Sequence, residues 1–160
     1  VARWLKWGGD MDISPLAELM LFNTSRAQLV SEVIKPNLEK GNIVICDRYA
    51  DSTTAYQSYG RGLDLGMVRA VNEAAIQGVQ PDLTVLLDMP VDAGLDRKKN
   101  KKPDRFEKEA LAFHQRVRRG YLELAKAEPG RWLVLDAAQS RGKIAEIIWQ
   151  KVSQLLPKKP

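Results

Sequence analysis

The chain has 160 residues, 44% of them apolar, and a formal charge of +5; this suits one folded domain with a sizeable core and excludes a disordered tail. The stretch Asp96 to Arg105 holds six positive and two negative charges, a net +4, so the remainder is nearly neutral. That argues against a broadly basic nucleic-acid face and points to a local anion near "RKKNKKPDR", Arg97 to Arg105.

Ser14-Pro15 marks a helix start, serine as N-cap and proline in the first turn. The helix is predicted to run to about Lys35, where Pro36 interrupts it, and Gly41 closes the segment. "NIVIC", Asn42 to Cys46, reads as a short buried parallel strand. A second helix is predicted from Leu65 to Gln77, capped by Asp64 and stopped by Gly78. "LTVLLD", Leu83 to Asp88, reads as another buried strand, followed by a short helix from about Asp92 and then the basic run. Phe106 to Lys126 forms a long amphipathic pattern, with Ala110, Phe113, Val117, Tyr121 and Leu124 on one stripe. "WLVLD", Trp132 to Asp136, is a third strand, and Ser140 caps a last helix carrying Ile144, Ile148, Val152 and Leu155. Alternating strands and helices predict an α/β fold, a parallel sheet covered by helices, with ligands at the carboxyl ends of the strands.

Each predicted strand ends in aspartate: Asp47, Asp88 and Asp136. The plain reading is a cap on the turn leaving the sheet. Asp47 differs because Arg48 follows it. A carboxylate can hold metal-bound water and a guanidinium can grip phosphate oxygens bidentately, so the pair suits a magnesium-phosphate site; an ordinary ion pair would look the same. The single cysteine, Cys46, reads as a small buried hydrophobe, and the single histidine, His114, as a surface or boundary residue. A disulfide framework, a cysteine metal site and a histidine triad therefore have no support. No apolar run approaches ~18 residues and no signal peptide is visible, so a cytoplasmic location and no membrane partner are expected.

Taken together, "SPLAELMLFNTSRAQLV", "VICDRYADSTTAYQSYGRGLD", "QPDLTVLLDMP" and "DRFEKEALAFHQRVRRGYLELA" resemble bacterial thymidylate kinase over about residues 14–148. The resemblance implies a P-loop-kinase-like domain over 1–160, with a lid at about 97–105. It implies transfer of the ATP γ-phosphate to dTMP with Mg²⁺, and a homodimer formed through helices, for which Leu16 to Val33 offers apolar surface. For dTMP it implies Phe22 stacked on thymine, Arg26 on the thymine carbonyl and acceptor phosphate, and Arg48 as the main phosphate arginine. Thr53 and Gln57 would read the base edge, and Tyr56 would lie under the sugar. Asp47 would be the metal-side or orienting carboxylate. Gly60 and Gly62, flanking Arg61, would give loop flexibility or a ligand contact.

For catalysis the resemblance implies Asp47, Arg48, Arg97 and Arg105. Arg97 would lie near the adenine and ATP phosphates, and Arg105 with Phe106 at the closing edge of the lid. A lid cation on the transferred phosphoryl group is worth roughly 10³- to 10⁵-fold in rate. The family's bacterial branch supplies it as arginine, whereas the middle of this lid is Lys98, Lys99, Lys101 and Lys102, point charges without the planar fork.

Nothing in the sequence matches Gly-x-x-x-x-Gly-Lys-Ser/Thr, and the chain opens VARWLKW without methionine. The expectation is a fragment or truncated product, lacking the amino-terminal strand and phosphate loop, with doubtful ATP binding and no turnover of its own. Removing a central strand would leave unpaired backbone groups on both neighbours. The alternatives are a non-catalytic dimerisation or nucleotide-binding remnant, a deoxynucleoside kinase and a nucleic-acid binder. Phe22–Arg26 and Tyr56-Gln57 favour a nucleotide acceptor over a nucleoside, and confinement of the charge disfavours nucleic acid.

Overall fold

The computed structural model describes residues 12–97 and 104–156. Helix α1 (Pro15–Leu29) begins as its sequence dictates: Ser14 Oγ accepts from the Ala17 amide, with Pro15 in the first turn. It does not stop at Pro36. A π-helical segment, Val30–Ile34, follows directly and leads into α2 (Lys35–Glu39), which has Pro36 in its first turn. Proline removes an amide donor and crowds the carbonyl one turn back. The wider π turn, in which the Lys35 amide reaches the Val30 carbonyl, lets the helix pass the proline. Gly41, at φ +75°, ends the run.

Residues 42–46 do not form the predicted strand, and Ile43 and Ile45 are 68% and 94% exposed. A strand exists only where its backbone groups pair with a neighbour, and no described strand lies beside this segment. Cys46 is correspondingly exposed and not buried.

The chain then forms α3 (Ala50–Thr53), continues as a π-helical segment, Thr54–Gly60, and turns at Gly62 into α4 (Leu65–Ile76). Asp64 caps α4 by accepting from the Met67 amide at 2.7 Å, and Gln77 and Gly78 end it in the left-handed region. Strand β1 (Thr84–Asp88) pairs in parallel with β2 (Trp132–Asp136), in register from Thr84 opposite Trp132 to Asp88 opposite Asp136. Between them lie α5 (Val91–Asp96) and α6 (Leu111–Ala127). Helix α6 starts later than the sequence pattern suggests, because 104–109 are turns in which Asp104 accepts from the amides of Phe106 and Glu107. Ser140 caps α7 (Arg141–Ser153). Leu87 is 51% exposed, so β1 is half-buried where a buried strand is predicted.

Three apolar clusters hold these parts together. Val30, Ile34, Tyr49 and Ile76 join the π-helical segment after α1 to α4; Ala55, Phe106, Phe113 and Val117 join α6 to the segment 54–60; Leu124, Ala125 and Trp132 join α6 to β2. The second contact is close. A Cβ on Gly60 would lie 2.7 Å from a Phe113 ring carbon, and one on Gly120 would lie 2.7 Å from Tyr59. Gly60 is therefore required by helix packing, which neither sequence-level reading of it anticipates. Arg131 ties the start of the sheet to α3: it donates to both Asp51 carboxylate oxygens at 2.8 and 2.9 Å and to Thr84 Oγ1 at 2.8 Å.

Candidate functional site

A cleft of about 230 Å³ opens between α1, the turn after residue 46 and the helical run beginning at Ala50. Phe22, Arg26, Arg48, Thr53, Tyr56 and Gln57 all line it, as do Asp47 and Phe106. Helical spacing puts Phe22 and Arg26 on one face of α1, and Thr53, Tyr56 and Gln57 on one face opposite. The wall is aromatic: Phe22 and Phe106 have ring centroids 6.0 Å apart, and Tyr56 meets Phe106 edge-on at 5.4 Å.

The Arg26 guanidinium is locked. It donates to Asn23 Oδ1 at 2.8 Å, Asn72 Oδ1 at 3.4 Å, the Tyr49 carbonyl at 3.1 Å and Thr53 Oγ1 at 2.7 Å. Burial pulls its pKa below the ordinary arginine value, with Tyr49, Cys46 and Asp51 opposing; the group still carries its charge at neutral pH. Arg48 is held differently. Its backbone is at φ +67°, one of two described non-glycine residues with positive φ, a conformation that costs about 1–3 kcal/mol and clusters at functional sites. Its guanidinium lies over the Tyr56 ring at 5.2 Å and donates to the Tyr121 hydroxyl at 3.3 Å. Burial pushes the Tyr121 phenol up to about 12, so it is neutral when it donates to Ser52 Oγ at 2.7 Å.

Behind the cleft lies a buried carboxylate, Glu18, fully excluded from solvent. It accepts from Gln57 Nε2 at 2.7 Å, from Arg61 Nε at 3.2 Å and from Arg105. Arg61 also pairs with Glu109 at 2.6 Å.

The family model for thymidylate kinase matches residues 5–148. The chain belongs to the thymidylate kinase family. It is 55% identical over 156 residues to a thymidylate kinase of Dehalococcoides mccartyi, covering 98% of this chain and 75% of that protein. A thymidylate kinase of Trichlorobacter lovleyi is 50% identical over 141 residues, covering 84% of this chain and 66% of that one. The crystal structure of thymidylate kinase from Ehrlichia chaffeensis superposes with a TM-score of 0.71 at 31% identity, over 91% of this chain and 68% of that one. The P-loop-kinase-like α/β fold expected from sequence is thereby established, and thymidylate kinases are enzymes.

Against that family background, six residues expected at dTMP meet in one cleft. Of the expected lid, Asp104 and Phe106 line the cleft, and its two described arginines do not. Arg97 donates to the Ala137 carbonyl at 3.1 Å, Arg105 engages Glu18, and neither lines the cleft. Lys98, Lys99, Lys101 and Lys102 lie outside the described residues. The three aspartates part company. Asp136 caps its turn by accepting from the Ala138 amide, Asp88 takes a bidentate ion pair from Arg118 at 2.7 and 2.8 Å, and Asp47 is exposed at the cleft.

Among the described residues no three acidic, histidine or cysteine side chains cluster around a common point. A lone carboxylate such as Asp47 fits Mg²⁺ only where substrate phosphates and water complete the octahedron. No described helix is long and apolar enough to cross a membrane.

Sequence reasoning missed Glu18, Asn72 and Tyr121 as parts of the site. Tyr121 reads as one more apolar-stripe position, and nothing local to Glu18 or Asn72 reveals which distant group each will meet.

Proposed function

We propose that the cleft binds dTMP and that the protein transfers the ATP γ-phosphate to it. The reading rests on one observation: in a chain of this family, an aromatic face, two arginines and two polar edge-readers converge on a single cleft. Phe22 stacks on the base, Arg26 meets a thymine carbonyl, and Thr53 and Gln57 hydrogen-bond the base edge. Tyr56 packs under the sugar, and Arg48 takes the acceptor phosphate with its planar fork. An acceptor phosphate oxygen then attacks the γ-phosphorus, the bond to the bridging oxygen breaks, and ADP leaves. Asp47 would hold Mg²⁺ indirectly, through bound water, and the ion when bound would supply charge neutralisation at the phosphates.

Residues 1–160 hold no Gly-x-x-x-x-Gly-Lys-Ser/Thr sequence; they supply the acceptor half of the site, and Arg97 is assigned to the donor side. Calorimetric titration of dTMP tests the acceptor assignment. Measurable dTMP binding is expected, and its loss in Arg48→Ala. Affinity for dCMP equal to that for dTMP would overturn the thymine assignment.

A further inference from the structure

The bonds around Glu18 fix which atom Gln57 presents to the cleft. A side-chain amide can turn either its oxygen or its nitrogen toward a ligand, and its partners decide which. Glu18 lies between two arginines, Arg61 and Arg105, whose charges are permanent, and a carboxylate only accepts hydrogen bonds. The Gln57 atom against it at 2.7 Å is therefore Nε2, and Oε1 is left for the cleft that Gln57 lines. Thr53, nearly one turn away, is polarised in the opposite sense. Its oxygen accepts from Arg26 at 2.7 Å, leaving its own O–H to donate. The wall thus offers one acceptor and one donor side by side.

We infer that Glu18 is a specificity-determining positioning residue: by holding the Gln57 amide nitrogen, it commits the cleft to a pyrimidine whose ring carries an N–H beside a carbonyl. This rests on the reading of the cleft as a pyrimidine nucleotide site. Thymine and uracil have that pattern. Cytosine has a bare ring nitrogen there, which would set acceptor against acceptor. Glu18 touches no substrate in this scheme and acts only through Gln57.

The test measures dTMP and dCMP affinity by calorimetry on the full chain. Glu18→Gln removes the constraint, because a glutamine at 18 can donate or accept and lets Gln57 turn over. The dTMP-to-dCMP affinity ratio is expected to fall about tenfold or more. The exchanged pair, Glu18→Gln with Gln57→Glu, again leaves an oxygen facing the cleft and is expected to recover the ratio. An unchanged ratio, or equal weakening of both ligands without recovery in the exchanged pair, would show a merely structural role and overturn the proposal.

Should Glu18→Gln fail to fold, the unsubstituted protein still decides. Its Gln57 side-chain N–H₂ signals should exchange slowly with solvent and keep their positions when dTMP binds. N–H₂ signals that shift strongly on titration would place the nitrogen at the ligand and end the idea. If neither nucleotide binds the unsubstituted protein, it is the cleft assignment that has failed.

Discussion

Arg26 donates to the Thr53 hydroxyl at 2.7 Å across the cleft, so one bond joins α1 to α3 at the point where the two walls come closest in function. The same guanidinium holds Asn23, Asn72 and the Tyr49 carbonyl. Arg26→Lys keeps the charge but loses the fork. With several charge-assisted bonds gone, dTMP affinity is expected to drop roughly 10- to 100-fold and stability by about 1.5–3 kcal/mol, read by calorimetry and urea unfolding. Unchanged affinity would show that the cleft does not depend on this bridge.

Arg48 carries both backbone strain and the anion-binding charge, so the two can be separated. Arg48→Gly relieves the φ of +67°, whereas Arg48→Ala does not. The glycine variant is expected to be more stable than the alanine variant by about 1 kcal/mol, while both lose dTMP binding. Equal thermal midpoints for the two variants would count against strain at this residue.

Gly60 sits where a Cβ would press on Phe113 and Val117. Gly60→Ala should cost about 1–3 kcal/mol through overpacking, measured by urea unfolding. If it unfolds at the denaturant concentration of the unsubstituted protein, α6 can yield and the close packing is not required.

Tyr121 links stability to alkaline pH. Its folded pKa, pushed up to about 12 by burial, lies above the ordinary tyrosine value of about 10. A raised folded pKa stabilises fully below the unfolded value and loses that contribution as pH climbs through the folded one. The stability advantage over Tyr121→Phe should therefore hold near neutrality and disappear between pH about 10 and about 12. Thermal unfolding of both proteins across that range checks it, and a constant difference would refute it.

At the acid end, Asp88 has the opposite sign. Hydrogen bonds from Arg118 hold its carboxyl below the usual value, against a smaller opposing effect of burial. The contribution is present above the unfolded carboxylate range, near pH ~4, and is lost as pH falls through the depressed folded value. Asp88→Asn should flatten that part of the acid unfolding curve, and an acid limb identical to the unsubstituted protein would contradict the pairing.

The caps at Ser14, Asp64 and Ser140 and the two strands ending at Asp88 and Asp136 were legible, because each depends on chemistry within a few neighbouring residues; that Phe22, Arg26, Arg48, Thr53, Tyr56 and Gln57 share one cleft was legible only through the family resemblance. Pro36 misled: a proline forbids one hydrogen bond, and a π turn supplied a way past it. The segment 42–46 misled for a different cause. Its apolar composition suits a strand, but a strand is a property of two segments, and composition names only one.

By itself the sequence determined where helices start, which stretches can be strands and which family the chain resembles. Only the tertiary structure decided that Gly60 is a packing contact, that Arg105 closes on Glu18, and that Gln57 turns its oxygen to the cleft. Local propensities are set by near neighbours along the chain, whereas a close approach, a buried ion pair or an amide orientation is set by a partner 39 or 87 residues away.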